Sequence, residues 1–382
     1  MTRRTDRGAS RLGPQQRVPL LLALLLCFLL SPATPQLAAA ESGELPPEAG
    51  AERIRCRTED GASGPAAFLN QLVRTGPEYH NRHKGPLLVQ GHSLLQLLRL
   101  NMLPWATPAL EKGQLELQTT ATWVNLWAWK PSGYLVDGEV LRLSFAACYG
   151  LLERVQLRLE VPVLYQTGGI MDTFIQGFHD TFGYTQAHRD SFPKNRLRVA
   201  FYPRGGGEFR IDDDDAGFFL SDLTLTLRTD LYPGSFYLPA VTVAQVLKVP
   251  TGQHEGGGVD GGVTLYLAKR VWKVYGYFGV QYTRYGQEKI LGVAMEPDQW
   301  SLLFCLELPL SDRLSLLVQE LSNTGVARDF YDFSQSTHEL TVGTKIRLSR
   351  QMLLELGAIE NLFHYNNSPD FGFHCGLSYC LD

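Results

Sequence analysis

The alternation of apolar and polar positions over residues 137–167 sets the pattern for the rest of the chain. From Arg154 to Tyr165, Val155, Leu157, Leu159, Val161, Val163 and Tyr165 alternate with Arg154, Gln156, Arg158 and Glu160. Successive side chains of a strand point to opposite faces, so one face is apolar and the other charged. A matching run, 140–149, precedes it, and Gly150-Leu151-Leu152-Glu153 separates the two. The run from Arg154 is about twice the usual five or six residues of a globular strand. That is the length which crosses a bilayer at a tilt of about 45°. The pair is expected to be one hairpin of a transmembrane barrel.

Ten more runs follow the same rule: 115–129, 218–231, 237–249, 260–268, 273–285, 299–308, 313–321, 339–348, 352–361 and 371–381. Tight links are expected at 150–153, 232–236, 269–270, 309–312 and 349–350, and longer ones at 130–137, 167–217, 250–259, 286–297, 322–337 and 362–370. Short-long alternation is the rhythm of an outer-membrane barrel, with turns on the periplasmic side and loops outside. Residues 196–202 also look strand-like. Counting them would make an odd number and break the rhythm, so they are placed within the long second outer loop. The expected fold is all-β: an antiparallel up-and-down transmembrane β-barrel of about twelve strands, with a short helix in a long extracellular or luminal loop. Tyr149, Tyr165, Trp272, Tyr275, Tyr277, Trp300, Phe371, Phe373 and Tyr379 lie near strand ends, where rings prefer the headgroup level.

The polar parity carries Arg142, Arg154, Arg158, Glu160, Arg228, Glu339, Arg347 and Glu355, besides Gln156, Glu307, Gln319, Lys345 and His374. Dry burial of these charges unpaired would cost several kcal/mol each, so they call for a wet lumen or for ion pairs across strands. Twelve strands give a bore between the filled eight-stranded barrel and the open porins. Both a narrow or gated passage and a filled scaffold satisfy that. In the long loop, Phe174, Phe178 and Phe182 recur four apart as a helix stripe, with Asp172 able to cap its start. One reading folds this helix into the lumen as a constriction, with Asp172, Phe178, His179, Asp180, His188 and Arg189 near the passage. The other packs it on its own loop. Asp212 to Asp215 could hold Ca²⁺ but lack the spaced ligands of a calcium loop, so a solvated acidic tip is expected and no metal or cofactor.

Residues 1–40 read as a secretory signal: five arginines, an apolar run over 18–30 and Ala38-Ala39-Ala40 at the cleavage site. Its loss removes five Arg and one Asp and takes the formal net charge from −4 to −8. So acidic a chain without a basic cluster is not expected to bind nucleic acid. Residues 41–112 form an irregular periplasmic segment. Leu94, Leu97, Leu98, Asn101 and Met102 there, behind Ser93, suit either a short helix plugging the periplasmic mouth or an extra strand. The barrel takes 113–382. Cys56, Cys148, Cys305, Cys375 and Cys380 match no zinc spacing and read as isolated small residues. No Gly-x-Ser-x-Gly elbow or zinc helix motif occurs. His374 and Ser378 share a face but lie about 13 Å apart along a strand. An enzyme is therefore not expected.

The chain resembles a family of uncharacterised Gram-negative outer-membrane barrels, domain of unknown function 3187. The resemblance rests on Asp137-Gly138-Glu139, Tyr149-Gly150-Leu151, Leu159-Glu160-Val161-Pro162, the 172–183 helix with Arg189 beyond it, and Lys248-Val249-Pro250-Thr251-Gly252. It covers the chain from about Gly85 onward. It implies outer-membrane location, and with it the bilayer and the barrel-assembly machinery as partners, but no substrate and no oligomeric state. The chain ends Tyr379-Cys380-Leu381-Asp382, where such barrels commonly finish on an aromatic residue. The expected function is a channel or diffusion pathway for small solutes. The alternatives are an outer-membrane hydrolase and a non-conducting structural or adhesin-like barrel.

Overall fold

The computed structural model describes residues 83–382 apart from 184, 204–206, 253–257, 364 and 382. The expected leader, the breaker-rich stretch up to residue 82 and Cys56 lie outside the described residues. Twelve long strands are present among the described residues. They are β1 (Leu115–Lys130), β2 (Tyr134–Leu152), β3 (Val155–Thr167), β4 (Leu223–Tyr232), β5 (Ala240–Val249) and β6 (Asp260–Val271). The second half is β7 (Val274–Arg284), β8 (Asp298–Pro309), β9 (Leu314–Asn323), β10 (Thr337–Arg347), β11 (Met352–Phe363) and β12 (Phe371–Leu381). Consecutive strands pair antiparallel, and β12 returns to β1 in a register from Leu115↔Leu381 to Asn125↔Phe371. The ring is closed, so each of the twelve strands has a neighbour on both sides.

One link and one strand differ from expectation. β2 begins at Tyr134, and its register with β1 runs on to Lys130↔Tyr134, so the link expected over 130–137 is a tight turn above an elongated hairpin. The strand expected over 218–231 is two pieces. Gly217–Leu220 pairs with the outer part of β3, and β4 starts only at Leu223. Between them Ser221 and Asp222 are both buried, which a continuous alternating strand does not allow. Ser221 donates its amide to Pro162 O, while Asp222 pairs with Lys248. Arg198–Phe201 pairs with the outer extension of β2 and stays within the long β3–β4 link.

Burial follows the strand parity. Leu117, Phe145, Leu159, Leu225, Phe304 and Leu356 face out and are exposed, whereas Gln118, Thr120, Arg142, Ser144, Arg158, Gln319 and Glu355 face in and are buried. Tyr282 and Trp300 sit together on the outer face, rings 5.1 Å apart. Tyr275 and Tyr277, expected with the outer aromatics, instead share the inward parity of β7, and Tyr277 donates its hydroxyl to Glu307 at 2.9 Å. The inward polar face is buried because residues 83–112 run through the bore. Leu87, Leu95 and Met102 there are fully buried. This stretch is neither the helix nor the strand expected of it. It is an irregular strap with consecutive turns, closed by Leu97 N to Ser93 O at 2.9 Å and Arg99 N to Gln96 O at 3.1 Å.

Candidate functional site

The strap leaves most of its backbone amides without partners of its own, and the lumen side chains take them up. Gly85 N donates to Glu307 at 2.8 Å, Leu87 N to Gln319 at 2.9 Å and Leu88 N to Glu355 at 3.0 Å. Further along, His92 N donates to both oxygens of Glu339 at 2.9 and 3.0 Å, and Leu100 N to Asp260 at 3.1 Å. Ala109 N and Leu110 N reach Asp230 and Gln156 at 2.7 and 3.0 Å. Gln96 and Gln299 exchange side-chain hydrogen bonds at 2.7 and 3.0 Å. A buried amide must find a partner, and an irregular segment finds it in the polar parity of the wall. Close approach needs small wall residues. Gly343 and Gly357 face each other across β10 and β11, and a Cβ at Gly343 would lie 2.6 Å from Leu87 Cδ1.

The remaining inward charges pair with one another. Glu160 accepts from Arg142 at 3.0 Å and from Arg158 at 2.5 Å, and all three are buried. Glu355 pairs with Lys345 at 3.0 Å and lies 3.7 Å from His374. Lys248 bridges Asp222 and Asp260. Arg228 pairs with Asp230 at 3.0 Å and lies 5.0 Å over the Trp105 ring of the strap. Of the residues expected to line a passage, Arg142, Arg158, Glu160, Arg228, Glu339 and Glu355 lie on the inward parity and are buried. Arg347 is half-buried at the short-turn end, and Arg154 is exposed in the β2–β3 turn with φ +68°. At that end a cavity of about 490 Å³ opens between the strap and the wall, lined by Lys84, Thr107, Leu110, Arg154, Asp230 and Tyr275.

The loop helix α1 (Asp172–Phe182) does not enter the bore. Its Phe174 ring lies 5.4 Å from Phe371 and 6.5 Å from Phe373, which is on the outward parity of β12. Outward residues of the elongated β1–β2 hairpin hold it there. Glu139 accepts from Ile170 N at 2.8 Å and Met171 N at 2.5 Å, giving the helix start a carboxylate where its dipole favours one. Gly169, at φ +72°, makes room for this: a Cβ there would lie 1.8 Å from Glu139 Cδ. Arg189, buried, donates to Asp172 at 2.6 Å, Asn125 at 2.8 Å and Asp370 at 2.8 Å. Asp172, Phe178 and Arg189 therefore belong to a clamp on the outside of the rim. Asp180 is exposed and accepts from Gln186, and His188 packs its ring 4.9 Å from Trp129. His179 is half-buried on α1.

The acidic tip is ordered by itself. Asp212 and Asp215 cap a short turn reciprocally, while Asp213 accepts from Leu197 N and Arg196 at 2.8 Å each. Those two donors hold the Asp213 carboxyl below the usual carboxylate range, the amide contributing most. Among the described residues no group of three or more His, Cys, Asp or Glu is placed to hold a metal ion. Cys148, Cys305, Cys375 and Cys380 form no disulfide among the described residues.

The family model for a protein of unknown function, DUF3187, matches residues 75–381. The chain belongs to this family. No curated protein matches it. Among solved structures, an outer membrane channel from Pseudomonas putida F1 is similar with a TM-score of 0.49 and 12% identity, over 73% of this chain and 100% of that one. The NanC porin gives 0.40 and 6%, over 69% and 98%. The translocator domain of the autotransporter NalP from Neisseria meningitidis gives 0.37 and 10%, over 71% and 89%.

Proposed function

We propose that this DUF3187 member is an outer-membrane barrel that passes small solutes, and that residues 83–112 close it in the conformation described. The outward apolar belt needs lipid around it, and only the closed ring makes that compatible with a fully paired backbone. One observation carries the gating: the strap is held by its backbone amides on polar wall side chains, not by strand pairing with the wall. Water entering the lumen can replace such bonds, whose net worth is about 0.5–1.5 kcal/mol each, or about 1.5–3 to a charged acceptor. Moving part of the strap thus costs far less than opening the strand ladder.

Planar-bilayer conductance of the refolded chain tests this, beside a variant lacking residues 83–112 and the single change Glu339→Ala. Heat-sensitive electrophoretic mobility verifies that each barrel is folded. The full chain should open rarely and briefly, Glu339→Ala more often, and the deletion should conduct steadily and admit uncharged sugars in liposome swelling. A folded deletion variant that stays silent would overturn the reading.

A further inference from the structure

At the long-loop end of β9 and β10, four outward-facing polar side chains form a chain of hydrogen bonds that neither the bore nor the α1 clamp uses. Glu320 and Ser322 lie on β9, His338 on β10, and Ser336 just before it. The register Ser322↔His338 and Glu320↔Leu340 brings them onto one patch of wall. Ser336 Oγ is 3.0 Å from His338 Nε2. On the other side of the ring, His338 Nδ1 is 3.0 Å from Ser322 Oγ and 3.2 Å from Glu320 Oε1, and Ser322 donates to Glu320 at 2.9 Å. Because Ser322 already donates its hydroxyl to Glu320, the tautomer that satisfies both oxygens beside Nδ1 puts the ring proton there and lets Nε2 accept from the Ser336 hydroxyl. That is the tautomer and the order, hydroxyl to Nε2 and Nδ1 to carboxylate, which serine hydrolases use.

We propose that Ser336, His338 and Glu320 form an esterase site on the outer wall, facing the outer leaflet, and that its substrates are carboxylic esters of membrane lipids. The substrate class follows from the surroundings. Leu302 lies in the cross-strand row of Ser322 and His338, and Phe304 and Leu340 in the row of Glu320, all outward. Val342 is four residues beyond His338 on the same face, about 13 Å down the strand. There it borders an open apolar depression of about 570 Å³, lined by Ala121, Leu141, Leu356, Ala358 and Phe373. An ester at Ser336 therefore sits near the headgroup level, with its acyl chain laid over Leu340 into that depression. In the first step Ser336 Oγ bonds to the acyl carbon while its proton passes to His338 Nε2. The ester C–O bond then breaks, and the leaving alcohol takes that proton. Water, deprotonated by the same nitrogen, attacks the acyl-serine; that proton returns to Ser336 Oγ as its bond to the acyl carbon breaks and the fatty acid leaves, and Glu320 stabilises the transient imidazolium throughout. This goes beyond the gating proposal and is independent of it, since the site lies on the opposite face of the wall from the strap.

The test uses the refolded full chain in detergent, an alkyl fluorophosphonate as serine label, and micelles of a short-chain phosphatidylcholine as substrate. We expect the label on Ser336, and release of fatty acid. Both should fall about 100-fold or more in Ser336→Ala and in His338→Gln, and substantially in Glu320→Gln. Every variant is first shown to keep its heat-sensitive mobility; Ser336→Ala removes one half-buried hydroxyl and leaves the wall intact. A folded wild-type barrel that takes no label on Ser336 and releases no fatty acid would overturn the proposal. Hydrolysis that survives Ser336→Ala would do the same. A purely structural hydrogen-bond chain would leave Ser336 unlabelled.

Discussion

Gln319 and Glu320 are neighbours on β9, and Glu339 and His338 are neighbours on β10, yet each pair is split between the two faces of the wall. On the inner face Gln319 and Glu339 each receive an amide of the strap. On the outer face Glu320 and His338 have no strap and bond to each other and to Ser322 and Ser336. On these two strands the inner polarity thus holds the strap. The outer polarity serves no closure, and it survives next to lipid only because it lies near the strand ends and is mutually hydrogen-bonded. Polar side chains thus hold the strap on one face and bond among themselves on the other, where the proposed esterase site would use them.

The sharpest way to break this comparison is to remove one carboxylate from each face. Glu160→Ala leaves Arg142 and Arg158 buried without a counter-charge and should cost about 3–5 kcal/mol in urea unfolding of the barrel. Glu320→Ala, on a partly exposed side chain, should cost about 1 kcal/mol or less. Equal losses would mean that the outer cluster also holds the fold. Next in size is Arg189→Ala, which unpairs Asp172 and should release α1 by about 3 kcal/mol. Limited proteolysis should then cut within residues 168–196 while the barrel keeps its heat-sensitive mobility.

Gly357→Val acts on the inner face: a Cβ there would lie 3.1 Å from Thr341 Cγ2 and 3.4 Å from Leu87 Cδ1, so the added side chain should loosen the strap by about 1–3 kcal/mol. Bilayer recordings should show more frequent opening, and labelling at Ser336 should not change. The smallest effect is expected at Asp213. Its carboxyl is depressed in the folded loop, so its stabilisation is complete above the unfolded carboxylate pKa and is lost as pH falls through the lower folded value. Amide exchange at Leu197 should accelerate in that acid window, and Asp213→Asn should remove this dependence without affecting the strap amides.

Much of the barrel was legible because strand parity is local. A period of two over ten or so residues tells which side chains share a face, and the tight turns mark where the chain reverses. That is why twelve strands and the inward set Arg142, Arg158, Glu160, Arg228, Glu339 and Glu355 could be read along the chain. The break at Ser221 and Asp222 was not legible, since only the distant Lys248 explains why Asp222 turns inward. Nor was the outer cluster. Ser336 and His338 two apart are an ordinary strand pattern until β9 brings Glu320 alongside.

The amino-acid sequence by itself determined a closed antiparallel ring with an apolar exterior, a charged interior and an amphipathic loop helix, because each of these is a short-period pattern. Only the tertiary structure decided what fills the ring, where the helix lies and which polar groups meet. The strap forms neither element its 94–102 pattern suited because its hydrogen-bond partners stand up to 267 residues away, and α1 lies outside the rim because Glu139, Asn125 and Gly169 receive it there. Contacts of that range depend on strand register, and register exists only once the ring has closed.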